Sequence, residues 1–89
     1  MDFKIIEETN QRMVFTLRGE THTFCNLLNQ ELQEVKGVAV ATYKIDHPLV
    51  GLPEFLVETK GLEPRKALKE ALKGVRKLAE EFKKEVGKL

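Results

Sequence analysis

A two-layer α+β fold, one four-stranded antiparallel sheet with two helices on a single face, is predicted by three features of this 89-residue chain. β-rich runs occur in two pairs, each pair is followed by a stretch with helical apolar spacing, and the connections are short. Short connections favour antiparallel neighbours, so the order ββαββα closes most simply as one sheet backed by both helices.

Residues 3–9 and 13–18 form the first pair of runs, separated by Asn10 and Gln11. The second run alternates Met13, Phe15 and Leu17 with Val14, Thr16 and Arg18, the period of a strand with two unlike faces, and the pair reads as a hairpin. Gly19 closes this pattern, and Thr21 or Thr23 can offer a side-chain oxygen to the first free amides of a helix. Phe24, Leu27, Leu28, Leu32 and Val35 then recur at helical spacing, and Gly37 follows where a left-handed cap residue is often glycine. Two more strands are expected over 38–45 and 55–60, joined by a segment in which Pro48, Gly51 and Pro53 oppose both helix and sheet pairing. Pro64 suits a helix first turn, and the Ala, Leu, Glu, Lys and Arg residues that follow favour a long final helix to about residue 88. Residues 1–89 are thus read as a single domain.

Composition narrows the class. With 42% apolar and 33% charged residues the chain is globular rather than disordered. A domain this short buries only about 60–65% of its unfolded surface, so its own core is marginal. No apolar run approaches the roughly 20 residues that span a bilayer, and no basic-then-apolar leader is present; a cytoplasmic location is expected. One cysteine, Cys25, excludes an internal disulfide, and with His22 and His47 it makes no spaced zinc pattern. Neither a metal nor a cofactor is expected. The net charge of +1 is unevenly spread, −3 over residues 1–62 and +4 over residues 63–89.

The final helix implies a partner. Leu68, Leu72, Val75, Ala79, Phe82, Val86 and Leu89 are spaced 4, 3, 4, 3, 4, 3, the rhythm of helices that pack along one another, and Ala67, Ala71 and Leu78 widen the seam. An amphipathic helix lying on its own sheet is the commoner source of such a stripe, but length argues otherwise. A helix over 64–88 is about 37 Å long, whereas a domain of this size has a radius of gyration of about 12 Å. Leu78, Phe82, Val86 and Leu89 should therefore be exposed in a monomer, and contiguous apolar surface marks an interface. The expected interface comprises Leu68, Leu72, Val75, Leu78, Ala79, Phe82 and Val86, with Phe24, Leu27 and Leu28 of the first helix as a second ridge.

Three stretches carry a family resemblance. Glu20, His22, Thr23, Asn26 and Leu28 fit the pattern E-x-H-T-x-x-N-x-L within GETHTFCNLLNQEL at 19–32. TYKIDHPLVGLPEFLVETKG at 42–61 includes His47 and Pro48, and PRKALKEAL follows at 64–72. In order and spacing these resemble the small alpha-related subunit family of DNA-dependent RNA polymerase, the subunit L family in archaea. Cys25 departs from the small residue, commonly glycine, found there, but a thiol is still compact. The resemblance implies a noncatalytic subunit that forms a heterodimer with the larger alpha-like D polypeptide of the archaeal enzyme. Helices of both partners would pair around a pseudo-two-fold axis and so build the platform for the large catalytic subunits. Nucleotide addition and its magnesium belong to those subunits, so the isolated chain is expected to have no activity, no small-molecule substrate, no membrane contact, and contact with DNA only through the complex. An obligate interface would bury on the order of 2,000 Å².

Other functions are weaker readings. A nucleophilic Cys25 with His22 as base would need a third orienting group and an oxyanion site, and the sequence supplies neither. The basic residues of the last helix are interrupted by Glu70, Glu80, Glu81 and Glu85, and Glu80 precedes Lys84 in the favourable i, i+4 order, as on a solvated face. The strands lack the paired exposed aromatics with which RNA-recognition sheets stack bases. A free-standing homodimeric interaction module is the main alternative; it explains the seam and leaves the three matching stretches as coincidence. The HPLVGLP stretch has two equal readings, a segment tucked beneath the sheet edge and a docking loop.

Overall fold

The computed structural model describes residues 2–45 and 52–89. Six elements follow in the expected order: β1 Asp2–Glu8, β2 Arg12–Arg18, α1 His22–Glu34, β3 Val38–Lys44, β4 Glu54–Thr59 and α2 Pro64–Gly87. The strands form one antiparallel sheet in the order β1-β2-β4-β3, so β4 enters between the hairpin and β3. Both edge strands slip register once, β1 between Ile5 and Glu7 and β3 between Val38 and Val40. Such bulges twist an edge away from the regular ladder and hinder its extension by another strand.

Alternation decides which side of the sheet is buried. Met13, Phe15 and Leu17 of β2, Phe55 and Val57 of β4 and Ala41 of β3 point to the helix side and are almost wholly inaccessible. An aromatic row crosses all four strands on this side in sheet order. Phe3 packs on Phe15 with ring centroids 4.8 Å apart, Phe15 stacks on Phe55 at 4.9 Å, and Phe55 stacks on Tyr43 at 5.1 Å. Each such pair adds about 0.5–1.5 kcal/mol beyond area burial. From the helices, Cys25, Leu28 and Leu32 of α1 and Ala67, Leu68, Ala71 and Val75 of α2 complete the core.

Local chemistry sets the helix ends. Thr21 is the N-cap of α1, its hydroxyl oxygen accepting the Phe24 amide at 3.1 Å, which satisfies a donor the helix cannot. Thr23 already lies inside the helix. At the other end Gly37 has the positive φ expected of it but lies two residues beyond the cap, because α1 ends at Glu34 with Val35 as an extended C-cap. Gly37 instead turns the chain into β3 with φ +102°, where a Cβ would press on Leu62 at 3.1 Å. Pro64 opens α2 as its sequence position implies. Thr59 ties β4 to this start, its hydroxyl donating to the Leu62 carbonyl.

Two polar contacts fix α1 over β3. The Tyr43 hydroxyl donates to Asn26 Oδ1 at 2.8 Å, and Gln33 Nε2 donates to the Ala41 carbonyl at 3.1 Å. On the far side, Arg65 grips Glu8 with two bonds, Nε to Oε2 at 2.9 Å and a terminal nitrogen to Oε1 at 2.6 Å, fastening the start of α2 to β1. That fork lowers the Glu8 carboxyl below the ordinary carboxylate range, the hydrogen bond from Arg65 being the main cause.

Candidate subunit interface

α2 is 24 residues long, about 36 Å at the helical rise, and the sheet ends before it does. Pro64 to Val75 supply all of its buried residues. Beyond Val75 the helix overhangs, and from Arg76 to Leu89 every residue is exposed. The overhang raises the radius of gyration to 13.9 Å, above the value of about 12 Å for a compact chain of this length.

The apolar stripe of α2 continues without a break into this overhang. Leu78 is 42% exposed, Phe82 71%, Val86 49%, and Leu89 is fully exposed at the end of the chain. Ala79 is exposed at its margin. These side chains recur at intervals of four, four and three, so they lie along one side of the helix. The interface set expected from the sequence therefore divides in two. Leu28, Leu68 and Val75 belong to the chain's own core and have little surface left for a partner, because the sheet and the opposing helix already cover them. Leu78, Ala79, Phe82 and Val86 are open. Phe24, Leu27 and Leu72 stand between, half-buried against the core with an outward part.

The residues of the E-x-H-T-x-x-N-x-L pattern build the start of α1. Glu20 is half-buried just before the helix, while His22 and Thr23 are exposed in its first turn. Asn26 anchors the outer end of the aromatic row through Tyr43, and Leu28 is core. Cys25 is buried completely, and burial, then the charge of Glu20, pushes its thiol up from the ordinary cysteine value, away from the reactive thiolate. His22, on the exposed side, and Cys25, in the core, therefore face different surroundings. His47 and Pro48 lie outside the described residues, as does most of the HPLVGLP stretch; of it Leu52 is 39% exposed, and the Pro53 carbonyl accepts the Leu17 amide at 3.2 Å.

Among the described residues, no three or more His, Cys, Asp or Glu side chains gather where they could hold a metal ion. No described helix is long and apolar enough to cross a membrane. The sequence pattern missed the edge bulges, the row of four rings and the Arg65 to Glu8 clamp, since each depends on strands brought together by tertiary pairing. The only early signal was the number of aromatic residues at inward positions.

A small sheet backed by two helices, one of which projects an uncovered apolar stripe, defines a domain built to associate with another chain. Residues 12–85 match the family described as the RNA polymerase Rpb3/Rpb11 dimerisation domain, and the chain belongs to that family. It is 42% identical over 71 residues to the DNA-directed RNA polymerase subunit Rpo11 of Archaeoglobus fulgidus, covering 80% of this chain and 83% of that one. To the Rpo11 subunit of Nanoarchaeum equitans it is 42% identical over 82 residues, covering 91% and 82%. The crystal structure of DNA-directed RNA polymerase subunit L from Thermoplasma acidophilum superposes with a TM-score of 0.85 over 98% of this chain and 86% of that chain, at 24% identity, which establishes the shared fold.

Proposed function

We propose that this chain is a noncatalytic subunit of an archaeal DNA-directed RNA polymerase, pairing with the larger alpha-like D polypeptide to form the platform on which the large catalytic subunits assemble. The observation that carries this reading is the uncovered stripe Leu78, Phe82, Val86 and Leu89 on a chain of the dimerisation-domain family. Residues 1–89 act as one dimerisation domain in the cytoplasm. Phe82 is the central anchor, because a large aromatic side chain loses the most water-exposed apolar area on association. Leu78, Ala79 and Val86 flank it, while Phe24, Leu27 and Leu72 add their outward parts. Leu28, Leu68 and Val75 support the surface from beneath. Nucleotide addition resides in the large subunits, and this chain contributes by holding the assembly together.

The test is to tag the chain in its native host, purify it at moderate salt and identify its companions by mass spectrometry. Recovery of an alpha-like chain and the large polymerase subunits at equal stoichiometry is expected. Recovery of two identical copies without polymerase overturns the reading in favour of a homodimeric module.

A further inference from the structure

The two margins of the overhanging stripe carry opposite charge. Lys69, Arg76 and Lys83 recur every seven residues and so form one row beside the stripe. This row lies on the β1 side of the helix, since Arg65, Lys69 and Leu72 line the cleft against Phe3, Ile5 and Met13. The opposite margin lies on the α1 side. There Gly74 sits beneath the Glu31 carboxylate of α1, and Glu31, Glu34 and Glu70 outnumber Lys36 among the charged residues lining the cleft between the helices. Glu81, seven residues beyond Gly74, continues that margin into the overhang, with Glu85, which Lys88 approaches to 3.6 Å, one turn later.

Direction then follows from what already occupies the stripe. Leu68, Ala71 and Val75 are covered by this chain's own fold, whereas Leu78, Phe82 and Val86 are open. A second copy running parallel and in register on the overhang would drive its own sheet into the space held by this sheet. It has to enter from the open end, antiparallel or steeply crossed. In the antiparallel two-fold pair each row meets its own counterpart, so Arg76 and Lys83 of one copy would face Lys83 and Arg76 of the other, while a steeper crossing brings only one point of each row onto its counterpart. Like charges across such a contact oppose association. Glu80 lies 3.5 Å from Arg76 in an exposed pair and offsets part of its charge, so the positive potential of the row in the overhang rests chiefly on Lys83.

We infer that the partner on the overhang is an unlike chain presenting a helix with carboxylates beside its own apolar stripe, and that Arg76 and Lys83 select it over a second copy of this chain. The inference rests on the overhang being a subunit interface. It adds the chemistry of the partner and a device against self-pairing.

Sedimentation velocity on the intact chain tests this with the protein itself as probe. Wild type, the double variant Arg76→Glu/Lys83→Glu and their equimolar mixture are compared at about 50 mM and about 500 mM salt, where screening lengths differ about threefold. The mixture should associate at least about tenfold more tightly than wild type alone at low salt, with the advantage falling to about twofold or less at high salt. Lys77→Glu/Lys84→Glu, on the far face, should give no such gain. A mixture no tighter than wild type alone, or a gain indifferent to salt, overturns the inference. Copurification with polymerase subunits would still stand in that event, so failure here is distinct from failure of the functional reading.

Discussion

Val75 and Phe82 lie on the same stripe of α2, seven residues apart, yet Val75 is 8% exposed and Phe82 is 71% exposed. The helix does not change character between them; the sheet beneath it ends. Upstream apolar side chains hold the fold together, and downstream ones have nothing of their own chain to cover them.

A charge placed at each position should separate these two roles. Val75→Glu buries a carboxylate without a partner, a change costing several kcal/mol, and should unfold the isolated chain. Phe82→Glu should shift unfolding stability by no more than about 0.5 kcal/mol. Urea unfolding followed by far-ultraviolet circular dichroism distinguishes them, and comparable losses in both variants would contradict the division.

Phe55 stands in the middle of the aromatic row, stacked on Phe15 on one side and Tyr43 on the other. Phe55→Ala should therefore cost about 3–5 kcal/mol through lost transfer energy and the cavity left behind. Phe3→Ala, at the partly open end of the row, should cost markedly less. Equal midpoint shifts in denaturant would show that the row is not centred where the rings place it.

Thr21, and not Thr23, caps α1. Thr21→Ala should destabilise the chain by about 1 kcal/mol, with Thr21→Asp restoring most of the loss. Thermal unfolding of these variants beside Thr23→Ala checks the assignment, for the last should leave the midpoint almost unchanged.

The Arg65 clamp makes a prediction in pH. Glu8 has a carboxyl lowered in the folded chain, so its stabilising contribution is present in full above the ordinary carboxylate range and is lost as pH falls through the folded-state value. Wild type should lead Glu8→Gln at neutral pH, and the gap should close in acid. Parallel stability curves from neutral to acid pH would exclude a role for the ionised pair.

Much of this fold was legible because its signals are local. The alternation of Met13, Phe15 and Leu17, the Thr21 to Leu32 helix start and Pro64 each report on a few neighbouring residues, and element boundaries agree closely. What periodicity cannot reveal is the neighbour. The 4-3 spacing from Leu68 to Leu89 marks one continuous seam, whereas the fold divides it at Val75 into core and overhang. Helix length against domain size located the exposed end, since that comparison needs only a rise per residue and a radius. Strand order, the register slips in β1 and β3 and the meeting of Asn26 with Tyr43 depend on pairing between distant segments, which no local pattern encodes.

If the overhang holds this chain in a polymerase, a charge at Phe82 should release it. Tagged wild type and tagged Phe82→Glu are purified from the native host under the same conditions, and their companions are quantified by mass spectrometry. Wild type is expected to bring down an alpha-like chain and the large subunits in equal amounts, while Phe82→Glu, still folded, loses them by at least tenfold, roughly 1.4 kcal/mol or more of association energy. Undiminished recovery with Phe82→Glu would contradict that role of the overhang.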